Sequence, residues 1–222
     1  MEPTRDKVIG VANALELVST MQYLERMGLN CGKSGNASSR VGSTTYSITP
    51  SGVAPLDLTP ESIVAMATDE VVLSATAKPS SEWRMHQDIY SARPDVGAIV
   101  HTHSSYATAL ACNGKPIPAF HYMVAVAGGD SIRCAPYATF GTPQLSDNAV
   151  AALENRQACL LANHGVLALG ETSFVAAKLA LEVEQLARQY CIAMQVGDPV
   201  ILDDEQMREV LAKFETYGQR IE

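Results

Sequence analysis

The run Ala98-Ile99-Val100-His101-Thr102-His103 constrains this chain more tightly than any other six residues in it. Its β-branched, apolar opening reads as a buried strand. Side chains two apart on a strand leave the same face, so His101 and His103 stand side by side where the strand leaves the core. The chain has only five histidines, and two of them need a common partner at this point. A divalent metal is one such partner, although zinc takes three protein ligands even in an open catalytic site. One ring hydrogen-bonded in the core and one in solvent is the plainer alternative.

The segment "ACLLANHGVLAL", 158–169, repeats the pattern: an apolar strand that ends in His164, followed by glycine. Three imidazoles suit zinc, with manganese, cobalt or iron as alternatives. His86 sits within a predicted helix and His121 within an aromatic, apolar segment, so both are given structural roles. A metal that polarises a carbonyl is useful only with a base for the adjacent C–H. Glu82 follows Ser80 and Ser81 at the start of the helix in "KPSSEWRMHQDIYSARPD". A first-turn glutamate is common because the helix dipole favours it. The same helix start also offers hydroxyls and free N–H groups to an anion. The turns "GKSGN" and "TPSG" could complete a phosphate cradle without any lysine.

Composition narrows the partners. Sixteen Lys and Arg against 24 Asp and Glu leave a formal net charge of −8, which argues against nucleic acid or an anionic membrane. A small anionic substrate in a local site remains compatible. No signal-peptide core and no apolar run of membrane-spanning length is present. The five scattered cysteines suggest neither a disulfide framework nor a thiolate metal knot, and a reducing cytoplasm is expected.

Apolar residues at helical spacing predict a helix over 6–27, stopped by Gly28. A small-residue loop "CGKSGNASSR" follows, then a strand in "TTYSITPSG" that runs into a turn. N-cap chemistry at Ser80 or Ser81 opens the next helix, which ends before Pro94. Strands are predicted in "VGAIVHTH", "HYMVAVAGG" and "ACLLANHG". Further helices are predicted in "SSYATALACNG" and "SDNAVAALENR", from Thr172 to about Gln195, and from Asp203 to Tyr217. Mixed strands and helices without repeat or linker point to an α/β or α+β layered fold in one domain, 1–222.

The segments "GLNCGKSGNASSR", "ITPSGV", "KPSSEWRMH", "IVHTHSSYATA", "FHYMVAVAGGDSIRCAPYATFGT", "NHGVLALG" and "KFETYGQRIE", in this order, resemble the class II aldolases of the L-fuculose-1-phosphate aldolase type. The resemblance covers essentially the whole chain. It implies a central, mostly antiparallel β-sheet flanked by helices. It also implies a homotetramer about a four-fold axis, with each site at a subunit interface. His101, His103 and His164 match the zinc ligands. Glu82 matches the catalytic acid/base, which can also touch the metal. Gly35, Asn36, Ser51, Gly52, Ser80 and Ser81 match phosphate-binding positions; at Ser51 a threonine is expected, but either offers a hydroxyl. Tyr122 matches the tyrosine that a neighbouring subunit inserts, and Phe140, Phe214 and Tyr217 match aromatics on the aldehyde side.

The implied reaction is reversible cleavage of a ketose 1-phosphate to dihydroxyacetone phosphate and a small aldehyde. L-Fuculose 1-phosphate is the first substrate expected, and 5-deoxy- or 5-(methylthio)ribulose 1-phosphate the alternative. A 4-epimerase would carry aspartate at position 82 and "His-Ala-Asp" near 119–124, whereas this chain has Glu82 and "FHYMV". A methylthioribulose-phosphate dehydratase is the weaker rival, for the same segment-level reasons. A non-enzymatic adducin-like module would have no need of all three histidines, the glutamate and the tyrosine together.

Overall fold

The computed structural model describes residues 5–69, 72–74 and 77–214. The elements are helices α1 (Arg5–Arg26), α2 (Trp83–Ala92), α3 (Ser105–Cys112), α4 (Pro143–Ala152), α5 (Ser173–Val196) and α6 (Asp204–Phe214). The strands are β1 (Asn36–Arg40), β2 (Thr45–Ile48), β3 (Val64–Ala67), β4 (Val72–Ser74), β5 (Ala98–Thr102), β6 (Cys134–Ala135), β7 (Ala158–Leu161) and β8 (Gly165–Gly170). They form one sheet in the order β4-β3-β2-β1-β5-β8-β7-β6. Every adjacent pair is antiparallel except β6 with β7, as expected of the layered α/β class.

Alternation along β5 divides the interior into two layers. Val100 joins the core that Leu17, Leu110 and Val183 of α1, α3 and α5 complete. Ile99 joins the opposite core, with Met85 and Ile89 of α2 and Leu145 of α4. Each fully buried side chain of this size contributes roughly 1.5–3 kcal/mol, enough in sum to hold an unfavourable polar cluster at the ends of the central strands. By the same two-residue period, His101 turns to the face that α2 covers. The sheet thus aims its imidazoles at the helix that begins beside Glu82.

Three local expectations are corrected. "NASSR" is not loop but β1, paired with β2 and β5 near the middle of the sheet. The polar side chains of Asn36, Ser38 and Arg40 are tolerated there because each has a partner. The Ser38 hydroxyl meets His86 and Tyr90, and the Arg40 guanidinium donates to the carbonyls of Tyr90, Arg93 and Val96. "HYMVAVAGG" is not a strand. Tyr122–Ala127 forms a 3₁₀ helix, which the His121 ring caps by accepting from Met123 N–H at 3.2 Å. Gly128 closes it in the left-handed conformation, φ 84°, which glycine adopts without steric cost. Finally, "ACLLANHGVLAL" is a hairpin, β7 and β8, with Asn163 at φ 55° in its turn.

α1 stops where expected, with Gly28 at φ 71° just beyond it. α2 begins one or two residues later than its serines suggest: Glu82 itself is the N-cap residue. Ser80 instead forms a turn, its hydroxyl accepting from Glu82 N–H at 3.3 Å. The Glu82 carboxylate makes no cap bond and is free to point elsewhere.

Candidate functional site

Four segments deliver side chains to one spot. β5 carries His101 at its buried end and His103 just beyond; the β7–β8 turn brings His164; the N-cap of α2 brings Glu82; β1 brings Asn36. His101 Nδ1 lies 2.8 Å from the Val166 carbonyl. A carbonyl can only accept, so Nδ1 carries the proton and the Nε2 lone pair faces the site. That nitrogen is 2.9 Å from His103 Nε2. One donor atom from each of His101, His103 and His164 lies within 4.8 Å of the others, and the rings stand edge to face with centroids 4.7–5.1 Å apart.

Hairpin closure depends on Gly165. A Cβ there would collide with the Thr102 carbonyl and come within 2.8 Å of His103 Cδ2. Gly35, at φ 76°, has the same constraint, since a Cβ would meet the His101 carbonyl at 2.6 Å.

Glu82 faces the imidazoles. Its Oε2 is 3.2 Å from His101 Nε2 and accepts a hydrogen bond from Asn36 Nδ2 at 2.9 Å. Its Oε1 is 3.2 Å from His164 Nε2, yet it is buried without a hydrogen-bond partner among the described residues. A buried, unsatisfied carboxylate oxygen is costly unless a cation or a substrate proton answers it. Three converging nitrogen donors and this carboxylate fit a divalent ion such as zinc, which takes imidazole and carboxylate ligands.

Burial also keeps the imidazoles neutral, as ligands must be. It holds His101 down to about 3, with the neighbouring His103 adding to the effect. Burial and then His101 bring His164 to about 4; burial lowers His103 and, with His101 adding to the effect, brings His86 to about 3. All start from 6.5, so in the window from about pH 6.5 down to 3 the unfolded chain binds more protons than the folded one. Stability therefore falls as pH falls through that window. The metal-free protein is expected to lose thermal midpoint steadily on acidification below pH 6.5; a flat profile from pH 7 to 5, read by calorimetry, contradicts the neutral cluster.

A cavity of about 360 Å³ opens in front of these groups. Gly35, Asn36, Ser51, Gly52, Ser80, Ser81, Glu82, His103, His164 and Phe140 all line it, so the structure brings these sequence candidates together. His101 is buried behind it. The Asn36 side chain is engaged at both ends, with Glu82 and His86. Tyr122 and Phe214 do not line their own chain's cavity. Tyr122 is 49% exposed and stacks on His121, and Phe214 packs with Met207, Val210 and Leu211 against the 3₁₀ helix. Tyr217 lies outside the described residues. Lys33, Tyr137 and Asn163 also line the cavity. Sequence reasoning missed them, although Lys33 sits inside the turn "GKSGN" and Asn163 immediately precedes His164.

Comparison with known proteins agrees with this geometry. Residues 15–191 match the family described as the class II aldolase and adducin N-terminal domain. The chain is 53% identical over 202 residues to a 5-methylthioribulose-1-phosphate/5-deoxyribulose-1-phosphate aldolase of Rhodospirillum rubrum, covering 91% of this chain and 90% of that one. It is 45% identical to an L-fuculose phosphate aldolase of Escherichia coli, covering 94% and 97%. A solved L-fuculose 1-phosphate aldolase superposes with a TM-score of 0.89 at 42% identity, covering 92% of this chain and 96% of that one. The chain therefore belongs to the class II aldolase and adducin N-terminal domain family.

Proposed function

We propose that this protein is a zinc-dependent aldolase that reversibly cleaves a ketose 1-phosphate to dihydroxyacetone phosphate and a small aldehyde, with the whole chain, 1–222, acting as one catalytic domain. The observation that carries the reading is the unsatisfied Glu82 oxygen held against three neutral imidazoles at the floor of a cavity rich in hydroxyls. His101, His103 and His164 would hold the metal, with Glu82 in reach of it. When bound, zinc supplies a positive charge that polarises the substrate's ketone and adjacent hydroxyl oxygens.

The rest falls to the chain's own groups. Ser51, Ser80 and Ser81 offer hydroxyls to the phosphate, and the turns at Gly35 and Gly52, both at positive φ, bring backbone close to it. In cleavage, a proton leaves the C4 hydroxyl, the C3–C4 bond breaks, and Glu82 delivers a proton to C3 of the departing dihydroxyacetone phosphate. In addition, Glu82 removes that C3 proton, and its Oε1 is suited to the task because Oε2 is already held by Asn36. Tyr122, from a neighbouring chain of a homotetramer, handles the proton on the aldehyde oxygen, and Phe140, Phe214 and Tyr217 serve the aldehyde side. No helix among the described residues is long and apolar enough to cross a membrane; the five free cysteines suit a reducing cytoplasm.

Metal content tests the site directly. One zinc per chain is expected, as for a three-histidine centre, and His103→Ala should lose it while remaining folded. A metal-free preparation with full activity sinks the reading.

The aldehyde half admits two readings. L-Fuculose 1-phosphate is the first; the 53% identity of the Rhodospirillum rubrum protein, against 45% for the Escherichia coli protein, favours 5-(methylthio)- and 5-deoxyribulose 1-phosphate as the second. Turnover of a panel of ketose 1-phosphates, with dihydroxyacetone phosphate and aldehyde both quantified, separates them by kcat/KM. Failure to cleave any member refutes both.

A further inference from the structure

His86 is fully buried, lies outside the metal-ligand set, and has both ring nitrogens engaged. We propose that His86 is a positioning residue for the base: a one-way chain of hydrogen bonds, Tyr90 to Ser38 to His86 to Asn36 to Glu82, fixes the Asn36 amide so that its N–H points at the carboxylate. The proposal rests on the reading of Glu82 as the base.

The direction of the chain follows from what each group can donate. A carboxylate oxygen accepts, so Asn36 presents Nδ2 to Glu82 Oε2, 2.9 Å away. Its Oδ1 then faces His86 Nε2 at 2.5 Å, and a carbonyl accepts, so that nitrogen must carry hydrogen. In a neutral imidazole the other nitrogen is then a lone pair. His86 Nδ1 accordingly accepts from the Ser38 hydroxyl at 2.7 Å. Ser38, its proton committed, accepts in turn from the Tyr90 hydroxyl at 2.8 Å. Burial keeps His86 neutral, lowering it to about 3.

The two ends of an amide have nearly the same size, so packing alone does not decide which one meets Glu82. With the other tautomer of His86, Nε2 would be a lone pair and would draw Asn36 Nδ2 toward itself. Asn36 Oδ1 would then face the carboxylate, and two acceptors in contact would push Glu82 away from the cavity. The hydrogen on His86 Nε2 is what makes Asn36 a donor to the base. The register that achieves this is simple. Glu82, His86 and Tyr90 are four residues apart, on one face that runs from the N-cap of α2 to its last turn, and Asn36 and Ser38 are two apart on the facing side of β1.

His86→Leu keeps bulk and loses the donor; His86→Gln keeps an N–H near the position of Nε2. In the zinc-loaded protein, His86→Leu is expected to lower kcat about 10- to 100-fold, the usual effect of removing a hydrogen-bond partner behind a site residue. KM should be unchanged, and His86→Gln should recover most of the loss. Independently of turnover, the 15N spectrum of histidine-labelled parent protein should show a neutral Nε2–H tautomer for the signal that His86→Gln removes. An Nδ1–H tautomer or an imidazolium at neutral pH overturns the proposal. So does a His86→Leu variant with parental kcat, or activity that falls in step with the thermal midpoint in both variants, which marks mere packing. If the parent cleaves no ketose 1-phosphate, the functional reading fails on its own, and the tautomer still decides the hydrogen-bond chain.

Discussion

Glu82→Gln is expected to leave fold and oligomer intact and to slow solvent exchange of the C3 proton of dihydroxyacetone phosphate by about 10²–10⁴-fold, the contribution of a well-placed general base. The substitution is close to isosteric, so packing is spared. A glutamine oxygen can still accept from Asn36 Nδ2, as Oε2 does at 2.9 Å, which puts the new NH₂ where the unsatisfied Oε1 stood. An amide there cannot take a proton from carbon. Exchange in D₂O, followed by proton NMR without any aldehyde, isolates this step from C–C bond cleavage. Substrate affinity should change little under the proposed assignment of the phosphate to Ser51, Ser80 and Ser81. Exchange at the parental rate would remove Glu82 from the chemistry and leave it as a metal-side carboxylate only.

The sequence exposes some of this site because some of its geometry is local. His101 and His103 are two apart on a strand, and that spacing alone puts them on one face. His164 announces itself by ending an apolar run before a glycine, although the continuation "GVLAL" belongs to a second strand rather than to the first. What stays hidden depends on neighbours distant in the chain. "NASSR" has poor strand propensity, and its pairing with β2 and β5 together with the contacts of Ser38 and Arg40 with α2 and the loop after it makes it a central strand. "HYMVAVAGG" carries β-branched residues that suit a strand, but the His121 cap and Gly128 closure win locally. His86 looks like a core histidine because its role rests on Asn36, fifty residues earlier in the chain. Asn36 in turn looks like part of a phosphate loop, while its amide is hydrogen-bonded to Glu82 and His86.

Tyr122 makes the strongest claim about assembly. In its own chain the phenol is about half exposed and stacked on His121, and it does not line the cavity that holds Glu82. A large aromatic held out by a capped 3₁₀ helix suits insertion into another copy's site. Tyr122→Phe is therefore expected to slow aldehyde addition and ketose cleavage severely while leaving C3 proton exchange near the parental rate, since exchange needs only the metal and Glu82. The decisive measurement mixes Tyr122→Phe with Glu82→Gln, each nearly inactive in cleavage alone. A composite site takes Glu82 from one chain and Tyr122 from the next. Random reassortment in a cyclic oligomer leaves about a quarter of the sites with both groups intact, and activity should return to about that fraction. If mixing after dissociation and reassembly restores nothing, or if the protein is a fully active monomer, each cavity works with its own chain's groups and Tyr122 is only a surface aromatic.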